Sequence, residues 1–578
     1  MLAGAATMKT YETDVLVVGG GGAATAATIS AFEGGARTMM AVKGVFGQPG
    51  KRGAGATSNP MADFWTIRTV GPKGGFFNPP ELVHADMMQT GLGMADPALC
   101  QIFCDEVSGA VKRLRSMGMQ FQSKMLATMP ASDKTKGTNN IVQIQKAVIA
   151  ATGTEVVEQA NVVDILVDDG RVRGVVGVHD DGEPFTVHAG AVVLATGGVG
   201  QLFQYSFNPP GNTGDGYAMA LRAGAELFNM EFMQQGLATV HPMQVIVMLY
   251  EMEEPYRMFN ANGEAFLSRY LPAGMSTKDV SDLKAIHWPV TCRDGAIHLD
   301  RAIHGEALAG RATPNDGVFF DLSIGERGFQ PEVFHKFMLE CGIDIKRDLV
   351  QAQIFHHTSN GGVRVGENGN AGVDGLFAIG ETMGWQGADR LGGTMLGGSQ
   401  VFGWRAGKHA AEAAKQRPDP AGAALLEHMI GAPVRKMNET GGRKTPGDLK
   451  PALQRFMWKE LLVEKDAESL AQVQQYIDDE RDRLANDLAI GTPMDVALAF
   501  EHRNLLDVAE VITQAATMRT ESRGAHYRSD FPERDDDAWM TNIFSTHKDG
   551  ALSQSARWIN EEPGWTDQPG DVRIKPWG

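Results

Sequence analysis

Val15-Leu16-Val17-Val18-Gly19-Gly20-Gly21-Gly22-Ala23-Ala24 decides the fold. The apolar residues from Thr13 to Val18 read as a short buried strand, the glycines as a tight turn, and the alanine-rich run Ala23 to Phe32 as a helix packed closely on that strand. The pattern matches the dinucleotide fingerprint with Ala24 in the third glycine position. Gly19 permits the turn, Gly21 lets backbone N–H groups approach a pyrophosphate, and a small Ala24 allows close helix–sheet packing. A lone fingerprint also fits a glycine turn without a ligand, but this one follows a strand and opens a helix. After the second strand, Arg37 to Val42, comes Lys43, so the acid that grips a ribose in NAD sites is missing and the pattern favours FAD.

Around this opening unit lies a chain of 578 residues, too long for one core, which predicts two or three domains. The glycine-rich stretch Gly44 to Gly55 follows the second strand, Leu82 to Val148 turns helical, and Val162 to Val167, Gly174 to Val178 and Ala191 to Ala195 are β-rich. Composition becomes mixed from Pro242 to Asp348, which suits a smaller α+β domain. Strand-like Gly375 to Ile379 returns to the nucleotide fold, and Ala452 to Ala516 has the apolar spacing of a helical bundle. A formal charge of -17 argues against a nucleic-acid partner, since phosphate binding needs a basic face. Cys100, Cys104, Cys292 and Cys341 form no CxxC pair, so neither a disulfide framework nor an iron-sulfur site is expected, and a reduced, cytoplasmic compartment fits. No apolar run is long enough for a direct membrane span, which leaves attachment through a partner.

Five further stretches follow in order: Ala195-Thr196-Gly197-Gly198, Asn212-Thr213-Gly214-Asp215-Gly216, Gly375-Leu376-Phe377-Ala378-Ile379-Gly380-Glu381, Gly387-Ala388-Asp389-Arg390-Leu391-Gly392-Gly393 and Arg519-Thr520-Glu521-Ser522-Arg523-Gly524-Ala525-His526. Together with the opening turn they resemble the flavoprotein family of succinate dehydrogenase and fumarate reductase, from about Thr13 to Trp539. The resemblance implies an α/β fold: a Rossmann-like FAD-binding domain split by insertions, with an α+β capping domain and a C-terminal helical domain. The expected boundaries are 1–241 and 351–445 for the two parts of the FAD-binding domain, 242–350 for the cap, 446–530 for the helical domain and 531–578 for a tail. It also implies FAD contacts at Gly19, Gly21, Gly22 and Ala24, at Lys43, Gly53 and Ala54, at Val162, Thr196, Gly197 and Asp215, and at Glu381, Arg390 and Leu396. Asp215 and Glu381 are carboxylates suited to accept hydrogen bonds from ribose or ribityl hydroxyls.

Members of that family often attach FAD through a histidine, and here Gly53 falls at that place, with no other histidine near. The cofactor is therefore expected to be non-covalent and of lower potential, better suited to reducing a substrate. Arg390 aligns with the family's substrate-carboxylate arginine, and a guanidinium offers the planar bidentate fork this task needs. His357 falls on a substrate histidine, and Arg293 resembles the proton-donating arginine, with Arg301 as its rival. Adjacent His356 and His357 seldom converge on one ion, so no metal is expected. Two polar family positions fall on Met248 and Leu249, and a second family histidine falls on Gly236, with His241 five residues later as the alternative.

These features imply a flavin-dependent enzyme acting on CH–CH donors, reducing or forming a C=C bond next to a carboxylate or carbonyl group. The substrate would be a carboxylate or acyl compound with one apolar or bulky end, because a free carboxylate buried against Met248 and Leu249 would lack hydrogen bonds. The stretch Arg519 to Trp539 resembles the family's segment beside an iron-sulfur subunit, so an electron-transfer partner of that kind is expected. Succinate–fumarate chemistry proper, an adenylylsulfate reductase-like flavoprotein and a flavin-binding subunit without a reaction are the competing readings.

Overall fold

The computed structural model describes residues 8–561 apart from 54, 59–65, 74–77, 122–126, 129–139, 248–256, 324–334, 337 and 549. Strand β1 (Lys9–Val18) runs into helix α1 (Gly22–Glu33), and β2 (Thr38–Ala41) lies parallel to β1 on one side. Val15 to Val18 are buried on both faces of β1, which is why the sequence reads as an apolar run instead of alternating. Each such side chain contributes about 1.5–3 kcal/mol when fully removed from water. Beyond β2 comes β3 (Glu155–Val157), and β4 (Ala160–Asp168), β5 (Arg171–His179) and β6 (Pro184–Leu194) form an antiparallel meander whose last strand returns parallel to β1. The sheet order is β3-β2-β1-β6-β5-β4, and Leu376–Ala378 pairs with the end of β6 where β5 has peeled away.

Helix α1 is small and buried along nearly its whole length, and it packs on α2 (Thr394–Ala413). The contact needs glycine on the facing helix: a Cβ at Gly403 would stand 2.7 Å from Ala23 O, and one at Gly407 would stand 2.3 Å from Ala27 O. This close approach sets the N-terminus of α1 against the second turn of α2, where Gln400 Nε2 donates to Gly22 O at 2.7 Å.

The cap is built on a five-stranded antiparallel sheet with β7 (Met233–His241) and β8 (Val350–Ser359) at its centre. Its two central strands stand at the borders of 242–350, β7 ending at His241 and β8 beginning at Val350. Helix Ile297–Leu308 packs against β8, and Thr277–Ile286 packs on that helix. In the helical domain Ala467–Asn486 packs along α3 (Met494–Met518). The stretch after Phe531 is more than a tail: Thr541–Lys548 and Ala551–Trp558 form a hairpin that pairs with Leu227–Phe228. Among the described residues no helix is long and apolar enough to cross a membrane.

Candidate active site

A cavity of about 800 Å³ opens where the main sheet, the cap and the N-termini of α1 and α2 meet. Gly19, Gly21 and Gly22 border it at the first turn, Lys43 and Gly53 after β2, and Val162 on β4. Thr196, Gly197 and Asp215 border it in the middle, and Glu381 and Leu396 on the α2 side. Ala24 is fully buried off the cavity, in the packing position expected of it, and Ala54 lies outside the described residues. Gly19 has φ +128°, and a Cβ there would stand 2.3 Å from Ala195 O, so the turn admits only glycine. Among the described residues neither Gly20 N nor Gly21 N has an acceptor, whereas Gly22 N donates to Thr57 Oγ1 at 2.7 Å. No acidic residue stands in the first turn of α1. Free amides at a helix N-terminus with no competing anion suit a pyrophosphate, so the chain fits an FAD. Glu381 takes hydrogen bonds from the Ser359 amide (3.0 Å) and the Thr358 hydroxyl, and burial raises its carboxyl above the usual range.

Lys43 does more than replace a ribose-binding acid. Its Nζ donates to Thr213 Oγ1 (2.6 Å) and Gly211 O (3.1 Å), and it pairs with the carboxylates of Asp215 and, at 3.0 Å, Glu501 of α3. Arg52 closes the cluster from the other side, donating to Glu501 and to Asp180 (3.0 Å). Asn504 Nδ2 donates to Asp215 at 2.9 Å. Burial alone would raise the Glu501 carboxyl, but Lys43, Arg52 and Lys450 hold it down at about 2.

The cap end of the cavity carries Arg390, His357 and Arg293 together. Arg390 Nε donates to Gln234 Oε1 at 3.0 Å, and its Nη2 lies 3.3 Å from His357 Nδ1. Gln234 and His357 come from β7 and β8, brought together by the pairing of those strands. Burial pushes Arg390 down to about 10, and among the described residues it makes no ion pair, so its charge awaits an anion. Burial, with Arg390 beside it, lowers His357 well below its usual range, which keeps the ring neutral near pH 7. Arg293 Nη2 lies 3.9 Å from Asp389 Oδ2, and Asp389, fully buried and pushed up by that burial, accepts from Thr291 Oγ1 at 2.5 Å. Arg301 is committed elsewhere, to Glu464 at 2.8 and 2.9 Å and to the face of Tyr527.

Three of these residues escaped the reading of the sequence. Gln234 follows Met230-Glu231 without any motif of its own, while Asp389 sat unassigned next to Arg390 inside a quoted motif. His287, also on the cavity, pairs with Asp294 at 3.0 Å. His356 points away from His357 and stacks on Phe203, as neighbours on a strand must, and among the described residues no group of three potential ligands converges on a metal. Met248 and Leu249 lie outside the described residues. His241 is exposed and does not border the cavity, and Gly236 lies beneath the ring of Trp288.

A pyrophosphate cradle at a Rossmann turn, joined under a cap to a desolvated arginine and histidine, defines an FAD-dependent oxidoreductase that acts on CH–CH donors. The chain belongs to the succinate dehydrogenase and fumarate reductase flavoprotein family: residues 14–396 match the family described as FAD binding domain, and residues 450–563 match Fumarate reductase flavoprotein C-term. It is 30% identical over 564 residues to a subunit of the fumarate reductase (CoM/CoB) of Methanothermobacter marburgensis, covering 93% of this chain and 98% of that one. It is 29% identical to the L-aspartate oxidase of Streptomyces coelicolor over 92% of this chain and 90% of that one. The solved structure of Mycobacterium smegmatis Sdh1 in complex with UQ1 superposes with a TM-score of 0.79 at 26% identity, over 95% of this chain and 94% of that one.

Proposed function

We propose that this flavoprotein reduces, or in the reverse direction forms, a C=C bond next to a carboxylate or similar carbonyl group, in a substrate whose other end is apolar or bulky. The observation that carries the reading is Arg390: a half-buried guanidinium without an ion pair among the described residues, pre-oriented by Gln234, at the mouth of the cofactor cavity. Relatives named for fumarate and for aspartate differ in substrate, so the substrate must be read from the cavity wall. Ile246, Leu283 and Ile286 supply an apolar side there, Ile286 with 61% of its surface exposed.

FAD, when bound, supplies two-electron hydride exchange. Gly19, Gly21, Gly22, Thr196, Gly197, Asp215 and Glu381 are the residues that would hold it. Arg390 binds the substrate carboxylate, and neutral His357 orients the guanidinium. Arg293 delivers a proton to the carbon next to the one reduced, and Asp389 behind it, whose carboxyl burial pushes up, is placed to replace that proton. Oxidation runs the same residues in reverse. Arg293→Gln should lower kcat at least about 100-fold with little change in KM, the pattern of a group acting only in the transition state. Arg301→Gln should leave kcat within a few-fold, and the opposite ranking in steady-state kinetics would move the proton donor to Arg301.

The reaction class is tested by reducing the FAD-loaded protein with dithionite and following flavin absorbance as candidate oxidants are added. Alkyl- or aryl-substituted unsaturated acids should re-oxidise it faster than fumarate does. Equal rates with fumarate, or no re-oxidation by any unsaturated acid, would reject the reading.

The flavin is held without a covalent bond. Gly53 has φ +93°, and a Cβ there would stand 2.7 Å from Gly44 N, so a histidine at this place would break the loop. Acid precipitation should therefore release all of the yellow colour into the supernatant, and colour left in the pellet would reveal a covalent link. The electrons come from or go to a separate iron-sulfur subunit, because the cysteines present, two of them buried in one helix, do not cluster. Full turnover with NADH by a purified homomer would count against such a partner.

A further inference from the structure

Gly236 sits in the middle of β7, a buried strand, where a residue without a side chain weakens the sheet unless something needs its space. Trp288 takes that space. Three atoms of its indole lie within 2.6 Å of the point where a Cβ on Gly236 would stand, the nearest at 2.1 Å. The ring is pinned there from several sides. Its Nε1 donates to Leu237 O at 3.2 Å, Val290 N donates to Gln235 O at 2.9 Å, and Lys284 Nζ donates to Pro289 O at 3.0 Å. Trp288 is only half-buried and borders the cavity. Its ring stands perpendicular to His357 with centroids 4.9 Å apart, and Phe207 lies 6.0 Å from Trp288 and 5.8 Å from His357. Two aromatic rings thus flank the histidine that touches Arg390, and Leu283 and Ile286 continue the apolar surface.

We infer that Trp288, seated on Gly236, is the specificity wall of this site, and that it selects a monocarboxylate bearing a flat apolar group, an aryl ring in particular. The inference rests on the reading of Arg390 as the carboxylate anchor and names what lies against the other end of the substrate. A rigidly held indole offers a ring its preferred edge-to-face or offset contact, whereas the same wall gives a second carboxylate no donor, because Nε1 is already spent on Leu237 O. A short alkyl chain would cover only part of the surface that the indole, Phe207 and Ile286 expose.

Binding can be separated from turnover. With the oxidised, FAD-loaded protein, calorimetry should show 3-phenylpropanoate binding about tenfold tighter than butanoate, a gap that an aromatic contact plus its buried area can supply. Trp288→Leu, which keeps an apolar side chain of moderate size, should reduce that ratio to about threefold or less, and Trp288→Phe should retain most of it. Gly236→Ala should lower the ratio as well by driving the indole off its seat, with FAD content serving as the check on folding. An unchanged ratio in Trp288→Leu, or a wild type that binds butanoate as tightly as 3-phenylpropanoate, overturns the inference. If the binding ratio behaves as expected while neither cinnamate nor crotonate re-oxidises the dithionite-reduced protein, the proposed reaction fails and the aryl-selective wall stands.

Discussion

Replacing Arg390 by lysine is expected to lower kcat/KM for a carboxylate substrate by roughly 10²- to 10³-fold, about 3–4 kcal/mol of lost transition-state stabilisation, with FAD retained. A guanidinium held down at about 10 by burial, with only the more distant Glu381 carboxylate to favour its charge, is an expensive group to keep in a folded protein. An incoming carboxylate removes that penalty and gains two parallel N–H···O bonds. Lysine keeps the charge but loses the fork and the contact with Gln234, so the effect should appear in both KM and kcat. Arg390→Gln should be worse, because the charge goes as well. Stopped-flow re-oxidation of the reduced variants measures this directly, and a loss smaller than tenfold would mean that another group anchors the acid.

Glu501→Gln should destabilise the FAD-loaded protein by about 3 kcal/mol at pH 7, since it removes the buried carboxylate that Lys43, Arg52 and Lys450 share and leaves only Asp215 and Asp180 against them. The pH dependence is fixed by the direction of the shift. The folded carboxyl is held at about 2, below its reference value of 4.5, so its contribution is fully present above pH 4.5 and fades as pH falls toward 2. The gap in apparent Tm between wild type and variant should therefore be constant from pH 5 to 8 and close progressively in acid. A gap that stays the same down to the acid limit of the fold would mean that Glu501 acts by shape alone.

The strand, turn and helix from Thr13 to Phe32 were legible because their instructions are local: an apolar run, a turn that only glycine can make, and small residues to pack. Arg390 was legible for the same reason, as part of a continuous motif. The cap strands were not. Met233–His241 carries Gln234 and Gln235 fully buried, which breaks the alternation that marks a strand: Gln234 faces the site, while Gln235 Nε2 donates to Leu462 O on the other side. Gln234 meets His357 only through cross-strand pairing between segments more than a hundred residues apart, and Trp288 meets Gly236 only through a third. The choice between Arg293 and Arg301 likewise depends on which way a helix faces. The hairpin Thr541–Trp558 carries few large apolar residues on its second strand, whose side chains alternate between exposed and half-exposed, so it left little hydrophobic signal to read.

The latch between Lys43 and Glu501 has a consequence for the order of events as the chain is made. The glycine turn leaves the ribosome first, and the acid that fixes the lysine beside it, and the Asn504 amide that fixes Asp215, follow only after the main sheet and the cap have been made. A nascent or truncated chain ending before α3 would own the whole fingerprint and still lack the clasp. The clasp at the first turn is thereby closed only once α3 has docked.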